Sequence, residues 1–196
     1  ATGRPGPVWL DLPLDVQGAI IETESLRAYD PAENPEQRPQ EILQETIEKI
    51  LDKIEESHRP VLSPGNGVRL AGAIEEFHEL VDVLGVPVVT GMSSVDALES
   101  DHPYFVGRSG GTGTRPGNFA LQNSDVLLSI GNRQGFAQTG FQYQDWARES
   151  YTILNDIDEN ELKKPNLHVS LPVVGDAGEL IRGLLAEAKK RGADKG

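Results

Sequence analysis

"DVLLSIGNR", residues 125–133, decides the fold. Val126, Leu127, Leu128 and Ile130 follow one another without the polar alternation of a half-solvated strand. A run of this kind is a strand covered on both faces, and cover on both faces is the mark of a parallel sheet. Gly131 ends the run. Shorter runs of the same character stand at 60–65 (PVLSPG), 86–90 (VPVVT), 151–158 (YTILNDID) and 168–176 (HVSLPVVGD). Five strands are therefore expected. Helical spacing fills the intervals. Ile42, Leu43, Thr46, Ile47, Ile50, Leu51 and Ile54 predict an amphipathic helix over 40–57. Leu70, Ile74, Phe77, Val81 and Leu84 predict a second, closed by Gly85. Residues 91–117 read as one long Gly-rich loop, and "NFALQNS", 118–124, as a short helix. Asp176 is placed to cap a last helix over Leu180, Ile181, Leu184 and Leu185. Alternating strands and helices make a doubly wound parallel sheet, a Rossmann-like three-layer α/β/α domain, over residues 41–190. Residues 191–196 are a solvated tail.

Upstream, "DPAENPEQRPQ", residues 30–40, carries three prolines and no large apolar side chain, and reads as a linker. Residues 1–29 precede it. There Val8-Trp9-Leu10 looks like a short buried strand, stopped by Asp11, Pro13 and Asp15, with nothing before it to pair with.

Composition narrows the function classes. The chain has 196 residues, 37% hydrophobic and 25% charged, as in ordinary globular proteins. Its net charge of -13 speaks against nucleic acid or an anionic membrane as partner. Without cysteine there is no disulfide, thiolate metal site or cysteine nucleophile. No run is long enough to span a bilayer, and a cytoplasmic setting is expected.

In a doubly wound sheet, ligands bind beyond the carboxyl ends of the strands. The candidate binding residues are therefore Gly65, Asn66 and Gly67 after the first strand, and Thr90 and Gly91 after the second. Gly131, Asn132 and Arg133 follow the third, Asp156 and Asp158 the fourth, and Gly175 and Asp176 the last. Small residues let a ligand approach the backbone, and Asp156 or Asp158 could accept hydrogen bonds from a ribose. The same glycines serve tight turns whether or not anything binds, and Asp158 also suits a helix cap. A dehydrogenase fingerprint fails. After Gly65 and Gly67 the next glycine, Gly72, comes two positions late, and the second strand ends in Thr90-Gly91 rather than an acid. His58, His78, His102 and His168 are not spaced as metal ligands and read as solvated or helix-end residues. No catalytic residue and no metal ligand is assigned.

The ordered blocks "RPGPVWLDLPLDVQ", "RPVLSPGNGV", "LGVPVVTGMSSVDAL", "DHPYFVGRSGGTGT", "ALQNSDVLLSIGNR" and "ILNDIDENELKKPNLHVSLPVVGDA" resemble thiamine diphosphate-dependent enzymes of the acetohydroxyacid synthase and pyruvate oxidase type. The resemblance covers essentially the whole chain. It implies that residues 1–29 correspond to the end of the preceding pyrimidine-binding domain and 41–190 to the central domain, with its NAD/FAD-binding-like fold. It implies a homodimeric or homotetrameric 2-keto acid enzyme of acetolactate synthase type. There, thiamine diphosphate and magnesium are held by the N- and C-terminal domains, which would be the partners of this one. Gly175-Asp176 is followed by Ala177 and does not match the family's Gly-Asp-Gly magnesium motif. In some members the central domain binds the ADP part of FAD, or an ADP-containing activator. This chain keeps that pattern at Gly131-Asn132-Arg133 and Asp156-Ile157-Asp158. It departs from it at Gln134-Gly135-Phe136-Ala137, and at Gly107-Arg108-Ser109-Gly110, where a histidine is absent. A non-catalytic, subunit-organising domain is expected, with ADP or FAD at the strand ends as a further expectation. The alternative is an independent nucleotide-binding module of the electron-transfer flavoprotein type.

Overall fold

A computed structural model describes residues 7–30, 33 and 40–192. The chain divides into two units, Ala1–Arg38 and Pro39–Gly196. Most of the expected linker, and residues 193–196 of the expected tail, lie outside the described residues.

The first unit holds Val8-Trp9-Leu10. These residues form no strand, and Trp9 is 91% exposed. A strand exists by virtue of its ladder, and no neighbouring strand offers one among the unit's described residues. Its described residues include one helical turn, α1 (Leu14–Gln17), and a 3-10 turn at Thr23–Ser25.

The second unit contains a six-stranded, wholly parallel sheet. In chain order come α2 (Gln44–Glu56), β1 (Pro60–Pro64), α3 (Asn66–Leu70), α4 (Ile74–Leu84), β2 (Val88–Thr90) and β3 (Phe105–Arg108). Then follow α5 (Arg115–Gln122), β4 (Val126–Ile130), α6 (Phe136–Thr139), β5 (Tyr151–Asp156), α7 (Glu159–Leu162), β6 (Leu171–Val174) and α8 (Ala177–Lys190). The spatial order is β3-β2-β1-β4-β5-β6. The direction of winding reverses between β1 and β4, the doubly wound arrangement expected.

Two expected elements differ. The second helix is split into α3 and α4 around Gly72, whose φ of +63° interrupts the helix before buried Ala73. The stretch read as one long loop contains β3, which pairs with β2 across a register shift at Val88/Val89. Gly85 ends α4 in the left-handed conformation, as expected.

Alternate residues along each strand enter two cores. Leu62, Val88, Leu128, Ile130 and Ile153 face one side, under α2, α4 and α8, with Ile50, Phe77, Leu80 and Leu180. Val61, Val89 and Leu127 face the other, with Leu121 of α5, Trp146 and Ala147. No helix among the described residues is long and apolar enough to cross a membrane.

Candidate functional site

The reversal point brings Gly65, Gly67, Gly131 and Asn132 together. Gly65 N donates to Ile130 O at 2.8 Å and Gly67 N to Gly131 O at 3.0 Å. The loops after β1 and β4 touch through backbone. A Cβ at Gly65 would lie 2.2 Å from Gly131 O, and one at Gly67 would lie 2.7 Å from Gly131 Cα. Gly131 itself has φ +56°. The glycines are thus required by packing, one of the two roles open to them from sequence.

Polar side chains extend this contact across the sheet. Asn132 Nδ2 donates to Ser63 Oγ at 3.2 Å, and its Oδ1 accepts from Gln134 N at 3.4 Å. Gln134 is buried with φ +52°, and its Nε2 donates to Ser129 Oγ at 2.8 Å. Asn155 Oδ1 accepts from Gly131 N at 3.3 Å, while its Nδ2 donates to Val173 O and Gly175 O at 3.1 and 3.0 Å. On the other side, Ser94 Oγ accepts from Gly91 N at 3.0 Å and donates to Pro64 O at 2.7 Å, which ties the end of β2 to β1. Thr90 O accepts from Ser109 N at 2.9 Å.

The remaining expected residues have definite places. Asn66 opens α3 and is exposed. Arg133 Nε is 2.8 Å from Glu161 Oε1, and Lys164 pairs with the same carboxylate while its Nζ donates to Arg133 O at 2.9 Å. Asp156 Oδ1 accepts from Asp158 N at 3.0 Å, and Asp158 Oδ1 from Asn160 N at 3.0 Å as the cap of α7. Gly175 packs on Ile42 at the far edge, where a Cβ would come 2.6 Å from Ile42 Cγ1. Asp176 Oδ1 accepts from Gly178 N and Glu179 N at 2.9 and 3.1 Å, as the expected cap of α8. Two histidines are less solvated than expected. His78 Nε2 donates to Ala97 O at 2.9 Å, and His102 Nε2 lies 3.2 Å from Asp82 Oδ1, so both hold the β2–β3 connection against α4.

Ser63, Ser94, Ser129, Gln134 and Asn155 are not among the candidate binding residues read from the sequence, although Ser63, Gln134 and Asn155 stand at the strand ends. Their signal was available in part: Ser63 and Ser129 are single hydroxyls inside apolar runs, and a buried hydroxyl in a strand needs a partner.

The donor set does not suit thiamine diphosphate with its magnesium. Among the described residues no group of three His, Cys, Asp or Glu side chains could hold a metal, and the Asp176 carboxylate caps a helix. For a dinucleotide, the amides of Gly65 and Gly67 that would face a pyrophosphate already donate to carbonyls. Three cavities of 460, 500 and 210 Å³ lie away from these residues. They border α5, the amino ends of β1 and β2, and the Gly110–Gly111 turn.

Residues 47–184 match the family described as "Thiamine pyrophosphate enzyme, central domain". The chain is 39% identical, over 94% of its length, to the "Probable acetolactate synthase large subunit" of Methanocaldococcus jannaschii, of which it covers 31%. It is 36% identical, over 98% of its length, to the "Acetolactate synthase large subunit" of Corynebacterium glutamicum, of which it covers 30%. The chain thus spans about a third of the length of the curated relatives it matches.

Proposed function

We infer the function of this chain from its family: it belongs to the thiamine pyrophosphate enzymes and carries their central domain, of acetolactate synthase-like type. The role is non-catalytic. The domain organises the flanking domains and subunits of a longer 2-keto acid enzyme, and those flanking domains hold thiamine diphosphate and magnesium. The observation that carries this reading is the use made of the strand-end polar groups. Gly65, Gly67, Asn132, Asn155 and Asp176 are bonded to neighbouring strands, loops and helix ends, as is Gln134 through its Nε2, while Thr90 Oγ1 and Gln134 Oε1 have no partner among the described residues. Such a surface is a rigid platform. The exposed Val8, Trp9, Leu10, Leu14 and Ile20 of the first unit support a further part of the parent covering them.

The parent's cofactor, held by its flanking domains, would supply the chemistry on the 2-keto acid. This chain's residues contribute position alone: the strand-end bonds hold the loops after β1, β4 and β5 in fixed register.

The order of the sheet, with its reversal at β1/β4, favours the second reading, an adenosine diphosphate site. Thermal melts of this chain with ADP, FAD, and thiamine diphosphate plus magnesium separate the two. A ligand at about 100 times its dissociation constant adds roughly 2.7 kcal/mol, a shift of about 5–10 °C for a chain of this size. The platform reading expects no shift with any of them. A shift with ADP and FAD that disappears in Arg133→Ala would replace it with the nucleotide reading.

A further inference from the structure

We propose that the cavity between α5 and the segment 145–148 is a binding site for a small organic anion with an aromatic body. The cavity measures 460 Å³, within the range of small-molecule sites, and is lined by Arg115, Asn118, Phe119, Gln122, Asn123, Asp145 and Arg148.

Charge is the first observation. The chain carries 31 acidic and 18 basic residues. Its arginines accordingly find carboxylates: Arg69 with Asp96, Arg133 with Glu161, Arg182 with Glu76, Arg191 with Asp52. Residues 107–148 reverse the balance, with Arg108, Arg115, Arg133 and Arg148 against Asp125 and Asp145. Among the described residues Arg115 forms no ion pair, and Arg148 meets only its neighbour Glu149, at 3.6 Å. Two guanidinium groups 33 positions apart in sequence line one cavity in a protein with carboxylates to spare. Arginine is suited to phosphate and carboxylate.

Shape is the second. Phe119 is 56% exposed on the cavity wall, with the Arg115 guanidinium 5.4 Å from its ring centroid. Together they offer a flat apolar surface beside a positive charge.

Rigidity is the third. The opposite wall is pinned from behind. Trp146 and Ala147 are buried in the smaller core, and Gln122 Oε1 accepts from Ala147 N at 2.7 Å. Ala147 has φ +46°, a conformation that a non-glycine residue holds only when its surroundings impose it. The backbone that carries Asp145 and Arg148 is thereby held at the cavity. Asn118 and Gln122 also line the adjoining 210 Å³ cavity, whose wall includes Trp146, with its buried Nε1 unpaired.

The test is titration calorimetry of this chain with 1-naphthyl phosphate, 1-naphthoate, 1-naphthol and inorganic phosphate. Saturable, salt-sensitive binding of a naphthyl anion is expected, with naphthol and phosphate each at least tenfold weaker; which anion binds tighter identifies the head group. Arg115→Ala and Arg148→Ala each weaken binding about tenfold or more, Asp145→Asn tightens it, and Arg108→Ala leaves it unchanged. Melting temperatures establish that the variants are folded, and Arg115→Lys, which keeps the charge, retains part of the affinity. Absence of saturable binding at millimolar probe overturns the proposal. So does binding that Arg108→Ala weakens as much as Arg115→Ala.

Discussion

The two faces of the sheet are built on different principles. One lies under α2, α4 and α8 and is filled with apolar volume, from Ile50 and Phe77 to Leu128 and Leu180. The other has α5 as its one helix of two full turns, with loop residues Trp146 and Ala147, and its apolar core is confined to a few side chains. Toward the carboxyl ends its rows turn polar: Val61 is followed by Ser63, and Leu127 by Ser129, both bonded to the loop after β4. The first face keeps the domain folded by exclusion of water. The second keeps loops in place by directed bonds, and it is the face on which the proposed anion cavity lies.

Truncation should separate them most strongly. Phe77→Ala opens a cavity under α4 and should cost about 3–5 kcal/mol. Leu121→Ala on the thin face should cost about 2–3 kcal/mol, at the low end for Leu, because loops can close around the loss. Urea denaturation of both variants measures this. Equal losses would break the distinction and show the thin face to be packed as densely as the other.

The faces meet at the carboxyl edge, where backbone rather than side-chain volume makes the contact. Gly131→Ala places a methyl 2.8 Å from Gly67 Cα, in a residue of φ +56°. Overpacking and left-handed backbone together should cost about 2–3 kcal/mol. Gly135→Ala is the control, since nothing lies within 4 Å of its Cβ position. Similar midpoints for the two variants would mean that the interlock of the β1 and β4 loops adds nothing to stability.

Much of this was legible in advance, and unevenly. The apolar runs marked β1, β2, β4 and β5 because a strand covered on both faces cannot hide its pattern, and they marked the half-covered edge strand β6 as well. Asp176 and Gly85 declared two helix ends through chemistry local to the chain. β3 stayed hidden because Phe105–Arg108 is short, lies at an edge and contains Gly107 at φ +147°. The strand-end residues do stand at the carboxyl ends of the strands, yet their partners were not legible. Ser63 with Asn132, or Asn155 with Gly175, are separated by 69 and 20 positions. Pairings of that kind follow from sheet order, which no local pattern encodes. Val8-Trp9-Leu10, read as a strand with nothing before it to pair with, form none here for the complementary reason: a strand sequence becomes a strand only beside another.

At the amino ends of the strands a single carboxylate does for the thick face what the polar rows do for the thin one. Asp125, just before β4, accepts from His58 N at 2.8 Å and Arg59 N at 2.9 Å, and so fixes the turn that joins α2 to β1. Burial alone would push its carboxyl up. The backbone N–H groups of His58, Arg59 and Asp125 itself, with the Arg59 charge, outweigh that and hold it below the usual aspartate value. A carboxylate whose folded value is depressed stabilises the protein above its unfolded value, about 3.9. That contribution fades as pH falls through the folded value. The effect is the smallest of the three, because the group is partly exposed. Denaturant melts of the protein and of Asp125→Asn at pH 7, 5, 4 and 3 read it. The stability gap should be constant from 7 to 5 and narrow below 4. A gap unchanged from pH 7 to pH 3 would mean that the turn is held by its hydrogen-bond geometry without the charge, as the neutral Ser63–Asn132 and Ser129–Gln134 pairs hold the opposite edge.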